Sequence, residues 1–196
     1  MSGEHLEQSF RSAISEYFLT GEKLLTQISN EEVMKLAIAI NQARKTECTV
    51  FVAGNGGSAS TASHFATDIG IGSLNRVNPV RSVSLCDNTA AITAIANDMD
   101  YSSIFAQQLK LLGNQGDLLI VISASGNSDN LLKAVEVASE LGMESYSLTG
   151  FDGGKLKQLT LGRNIHVETP KGAYGLVEDA HLAICHVITE CIRLVK

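Results

Sequence analysis

Two stretches of small and hydroxylated residues stand directly behind apolar runs. GNGGSAS at 54–60 follows TVFVA, and SASGNS at 123–128 closes the run DLLIVIS. Glycines at 54, 56 and 57 permit positive φ and close approach to the backbone, Asn55 can bond its own backbone, and Ser58 is a natural helix N-cap. The second stretch adds hydroxyls at Ser123, Ser125 and Ser128 around Gly126, with Asn127 or Ser128 opening a helix. Unpaired amides at the positive end of a helix dipole bind anions. Either stretch taken alone also fits a tight turn with a cap. A dinucleotide fingerprint fits poorly: GNGGSA satisfies G-x-G-x-x-[G/A], but the acidic residue ending the next strand, Asp87, lies more than thirty positions after Gly54. That fingerprint wants the residue about twenty positions on. No lysine follows the glycines, which excludes an ordinary Walker loop, and no nucleotide cofactor is expected.

Titratable residues cluster in two helical segments. His64 and Asp68 stand four apart, on one face of the helix that the first loop opens. Such a pair either works on a ligand or stabilises its helix by a few tenths of a kcal/mol. At 1.5 Å per residue, Asp68 lies roughly 15 Å from the amino end of that helix, a span an extended ligand or a neighbouring subunit's site can cover. Near the carboxyl end come Glu178, His181 and His186. Glu178 and His186 are about 80° apart around the axis and about 12 Å apart along it, so they approach a ligand from one side without touching. His186 stands among Ile184, Cys185, Val187 and Ile188, a setting that equally suits a structural histidine.

The elements that must position these groups alternate regularly. Strands are expected at 49–53, 80–85, 117–123, 145–149 and 164–168, with helices at 58–71, 88–97, 101–112, 128–141, 153–160 and 175–194. Apolar strands separated by helix-length segments, with almost no hairpin signal, specify an α/β fold: a three-layer αβα sandwich around a five-stranded parallel sheet. In the strand order 2-1-3-4-5 the two serine and glycine loops leave neighbouring strands at the switch point, where both reach one ligand.

Before the first strand, residues 1–48 form a helical arm, and 49–196 form the core of the same single domain. Leu6, Phe10, Ile14 and Phe18 draw an apolar stripe, and a second helix opens at Ser29 with Glu32 three places on. It carries Val33, Leu36, Ile38 and Ile40. These helices either cover the sheet or pair with another subunit.

With 196 residues and a net charge of −6, the chain has no broad attraction for nucleic acid or an anionic membrane, and neither is an expected partner. Cysteines at 48, 86, 185 and 191 show no paired spacing and read as reduced thiols. No apolar run approaches the roughly 18 residues of a membrane span, so a soluble, cytoplasmic protein is expected.

GNGGSASTASHFATDI, ISASGNSDNLLKAVEVASELGM, LTGFDGG and EDAHLAICHVITECI together resemble the sugar isomerase (SIS) domain family, in its phosphoheptose isomerase branch. The likeness runs along essentially the whole chain in the same order. It implies that a sugar phosphate is held by Ser58, Ser123, Ser125 and Ser128 with Asn55 and Gly56, the loop neighbours Gly57 and Ala124 counted with them. Asp68 matches a catalytic glutamate one methylene longer, and His186 matches the second acid-base residue. Glu178 replaces a glutamine that touches substrate or metal, while Asn97 and Asp98 match substrate contacts.

The resemblance also places a metal ligand at His64. With Asp68, Glu178 and His186 it makes a set suited to one divalent metal such as zinc per subunit. Gly72 stands where an arginine binds substrate, with Arg76 the only nearby replacement, and Gly175 stands where a polar or acidic residue is usual. The implied activity interconverts sedoheptulose 7-phosphate and a heptose 7-phosphate, in a homotetramer whose arms form a four-helix core and whose active sites are shared, His186 facing a neighbour's site. The alternative is a noncatalytic member of the fold that binds the replication initiator or senses a sugar phosphate. Asp68, Gly72 and Gly175 suit that alternative, whereas His64 and His186 favour the isomerase.

Overall fold

The structure is a computed structural model and describes residues 3–75 and 78–195. Five parallel strands, β1 Thr49–Gly54, β2 Arg81–Ser84, β3 Leu118–Ser123, β4 Glu144–Phe151 and β5 Asn164–Glu168, pair in the expected order β2-β1-β3-β4-β5. β1 and β3 run side by side in a register that pairs Gly54 with Ile122. The first loop and the second therefore leave the same edge of the sheet from adjacent strands. β3 is buried at every position, as the unbroken apolar run requires of a central strand.

Alternate strand residues face two cores. On one face Val50, Val52, Ile120, Ile122 and Leu148 pack under α2 (Asn30–Lys45), α3 (Gly57–Ile71) and α8 (Tyr174–Leu194). On the other, Phe51, Leu85, Leu119 and Val121 meet α5 (Ile104–Leu112) and α6 (Asp129–Glu140). α4 (Thr89–Asp98) and α7 (Gly154–Leu159) complete the crossovers, and a 3-10 turn at Tyr101–Ser103 takes the start of the helix expected from 101.

Before the sheet stand α1 (Gly3–Gln27) and α2. Ser29 caps α2 by accepting from the Glu32 amide at 3.3 Å, as the sequence specifies. α1 is different: in 25 residues it buries only Leu24. Its stripe of Leu6, Phe10, Ile14 and Phe18 stays exposed, Phe18 at 70%. α1 instead touches the rest of the chain along α8, where the Tyr17 hydroxyl donates to Asp179 Oδ2 at 2.6 Å.

Candidate active site

Asn55, Ser58, Ser123, Ala124, Ser125 and Ser128 line one cavity of about 170 Å³, closed on its other side by Tyr174 and Glu178 of α8. The second loop is held by its own hydroxyls. Ser123 Oγ accepts from the Gly126 amide at 3.1 Å, and Ser125 Oγ accepts from the Asn127 amide at 3.3 Å. Each serine hydrogen is thus left to donate outward. Gly126 lies at φ +63, and a Cβ there would strike the Gly153 carbonyl, so the turn needs glycine.

The first loop departs from expectation in two ways. Ser58 is not the N-cap of α3: the helix starts at Gly57, Gly56 holds the cap position at φ 55 without a side-chain bond, and Ser58 is buried inside the first turn. The glycine backbone reaches a turn that a serine would have to strain to make. Asn55 does not bond its own backbone either; its amide exchanges hydrogen bonds with Asn130 and accepts from Tyr101. A Cβ on Gly57 would run into the Glu178 carboxylate, so the third glycine of the loop lets α8 close over it.

Further along the same two helices, three side chains converge. His64 and His186 meet through their Nε2 atoms at 2.9 Å, and Asp68 Oδ2 lies 3.2 Å from His64 Nε2 and 3.9 Å from His186 Nε2. Both rings are about half exposed and Asp68 partly buried. With neutral rings, one shared N–H must serve these lone pairs, because two Nε2 hydrogens cannot face each other at this distance. One ligand atom from each residue lies within 4.8 Å of the others, so a divalent cation fits the set with positions left open. Of the four-residue set, Glu178 lies apart within one chain: it lines the serine cavity about two turns away and is not among the three ligand atoms that meet.

The other implied positions fall elsewhere. Asn97 donates to Asp98 at 2.8 Å at the exposed end of α4, and neither lines the cavity. Gly72 ends α3, and a Cβ there would meet the Asp68 carbonyl. Arg76 lies outside the described residues. Gly175 stands under the Tyr17 hydroxyl, 2.8 Å from where its Cβ would be. Sequence reasoning missed Tyr174, Asn130 and Tyr101 around the cavity. Asn130, two places after Ser128 in an otherwise apolar helix face, is the one whose position alone signalled a role.

In α8, His181 is fully buried and neither ring nitrogen finds a hydrogen bond of good geometry. Burial lowers its pKa to about 4, opposed in part by the Thr149 backbone and reinforced by the nearby His166. The structural histidine of this helix is thus His181, and His186 is the one that reaches outward.

The chain matches the SIS domain family over residues 16–150. It is 40% identical over 167 residues to a phosphoheptose isomerase from Helicobacter pylori, covering 84% of this chain and 85% of that one. A phosphoheptose isomerase from Shewanella denitrificans is 33% identical over 193 residues, covering 96% and 94%. Among solved structures, a phosphoheptose isomerase from Neisseria gonorrhoeae superposes with a TM-score of 0.86 at 30% identity, covering 97% of this chain and 100% of that one.

Proposed function

The chain belongs to the SIS domain family, in its phosphoheptose isomerase branch, and from that premise we propose that it interconverts sedoheptulose 7-phosphate and D-glycero-D-manno-heptose 7-phosphate. The observation that carries the reading is the convergence of His64, Asp68 and His186 on the helices that also wall the serine cavity. The cavity takes the phosphate through the hydroxyls of Ser58, Ser123, Ser125 and Ser128. The Glu178 carboxylate would repel that dianion and suits a sugar hydroxyl instead. Phosphate contacts hold the end of the substrate that does not react.

Isomerisation needs a base to remove the proton beside the carbonyl, an enediol, and an acid to return the proton to the adjacent carbon. Asp68 and His186 share those roles, with His64 orienting the carboxylate at 3.2 Å. A divalent ion such as zinc, held by His64, Asp68 and His186, would polarise the substrate's carbonyl oxygen when bound. Asn97 and Asp98 would then approach substrate only from a surface outside the cavity. The exposed stripe on α1 supports a homotetramer in which the arms pack together and each cluster completes a neighbour's site. Four free thiols support a cytoplasmic setting. Among the described residues no helix is long and apolar enough to cross a membrane.

The test is proton exchange. In deuterated water with sedoheptulose 7-phosphate, the protein should place solvent deuterium at the exchanging carbon and form aldose. Asp68→Asn or His186→Ala should each lower both signals by about 10²–10⁴-fold with the fold intact. Absence of exchange in the parent protein, with and without added zinc, would overturn the reading in favour of a noncatalytic binding or sensing member of the fold.

A further inference from the structure

The two loops of the cavity are tied by a reciprocal amide pair. Asn55 Nδ2 donates to Asn130 Oδ1 at 2.9 Å, and Asn130 Nδ2 donates back to Asn55 Oδ1 at 2.8 Å. The Tyr101 hydroxyl, from the 3-10 turn before α5, donates to the same Asn55 Oδ1 at 2.9 Å. Asn130, the second residue of α6, is 2% exposed, while Asn55 lines the cavity.

A side-chain amide carries two hydrogens on nitrogen and two lone pairs on oxygen, and an unconstrained one turns either end to a ligand. Asn55 has lost that choice. Both lone pairs of its oxygen are taken, by Asn130 and Tyr101, and one of its two hydrogens goes to Asn130. One N–H remains, on a residue of the cavity wall. Turning both amides over together would keep the reciprocal bonds but leave Asn55 a free lone pair in place of its free hydrogen, with the Tyr101 hydroxyl turned round to accept from the amide nitrogen. In that state the Tyr101 hydroxyl would have to give up its donated bond and accept instead, which biases the pair toward the arrangement seen, and the burial of Asn130 strengthens the pair by removing competing water.

We infer that Asn130 and Tyr101 are positioning residues that hold Asn55 as a donor-only group, and so make the cavity select a phosphate dianion over a neutral sugar hydroxyl. The matter is sharpened by Glu178, whose carboxylate on the opposite wall works against an anion. The inference rests on the phosphate reading of the cavity given above.

The probe is inorganic phosphate, titrated by calorimetry into the full-length protein, with KM and kcat measured on the sugar phosphate and the melting temperature recorded. Asn130→Asp keeps an acceptor for Asn55, removes the returned donor and adds charge; it should weaken phosphate by well over about tenfold, and Asn130→Ala by about tenfold. Tyr101→Phe removes only the bias between the two amide orientations and should weaken phosphate by about two- to threefold. KM should rise with each, kcat should hold, and binding of the unphosphorylated sugar should not change.

A parallel fall in kcat and melting temperature would mark a merely structural pair and overturn the inference. So would unchanged phosphate affinity in these variants while Ser125→Ala weakens it, an outcome that leaves the phosphate reading standing. Failure of the parent protein to bind phosphate, or of Ser125→Ala to weaken it, would overturn both. If the Asn130 variants do not fold, Tyr101→Phe decides the matter, since its hydroxyl is on an exposed residue.

Discussion

The serine cavity and the histidine cluster hang on the same two helices, α3 and α8, and differ in what encloses them. Around the cavity, loop amides are paired with loop hydroxyls, Ser58 and Ser123 are each 5% exposed, and α8 supplies the far wall from the same chain. Around the cluster, two imidazoles stand half in water among the described residues. Anion binding uses donors that local turns can aim, so a single chain can finish it. Proton transfer at carbon wants water excluded, which takes a surface these helices do not have. The exposed apolar face of α1, together with Met34 and Ile38 of α2, is the surface by which the proposed assembly would supply it.

Breaking the assembly should therefore separate the two regions. Phe10→Glu combined with Phe18→Glu puts two carboxylates into the stripe, and light scattering should show dissociated protein. Misplacement of groups across a lost interface should cost activity about a hundredfold or more. Affinity for inorganic phosphate should stay close to that of the parent. A fully active monomer would show that the cluster is complete without a neighbour, and loss of phosphate binding would show that the cavity is not.

The same contrast explains what could be read from sequence. The strand order, both loops and the Ser29 cap were legible because each is fixed by local chemistry or by the handedness of parallel crossovers. That His64 and Asp68 share a face was legible for the same reason. Their meeting with His186 was not: it joins residues 122 apart in sequence and depends on how α3 packs on α8. Within one chain Glu178 stands about two turns from His186, so only His64, Asp68 and His186 of the four-residue set meet there. Ser58 was read as a cap because serine often is one, but Gly56 took the position through its backbone alone. The Asn55–Asn130 pair spans 75 residues and has no spacing rule to announce it.

A change that reaches both regions alike comes from the helix they share. His181 is buried in α8 between Glu178 and His186, and its pKa is lowered to about 4 from an ordinary 6.5. The folded chain thus refuses a proton that the unfolded chain accepts below about pH 6.5, so stability falls as pH drops toward about 4. Between pH 7 and pH 5 the loss should be about 2 kcal/mol. Burial also lowers the pKa of His166, which acts in the same direction. Urea unfolding at pH 7, 6 and 5 measures the slope, and His181→Leu should flatten most of it. An unchanged slope in that variant would place the acid sensitivity elsewhere.

The smallest expected effect tests whether the arm is tuned separately from the cavity. Tyr17 of α1 reaches α8 only because Gly175 has no side chain: a Cβ there would lie 2.8 Å from the hydroxyl. The hydroxyl donates to Asp179, and that bond, with burial and the carboxylate charge, raises its pKa above the ordinary 10. Gly175→Ala should push the flexible tyrosine aside at little cost, since the pair is exposed, about 0.5 kcal/mol or 1–2 °C in melting temperature. The readout is tyrosine ionisation followed in the ultraviolet, where one of the four tyrosines should move back toward 10. Phosphate affinity should not change, because neither Tyr17 nor Gly175 lines the cavity. If the tyrosine titration stays as in the parent, Gly175 is not what admits Tyr17. If phosphate affinity falls with it, the arm and the cavity are coupled through the adjacent Glu178 and Asp179, and the separation drawn between the two regions does not extend to α1.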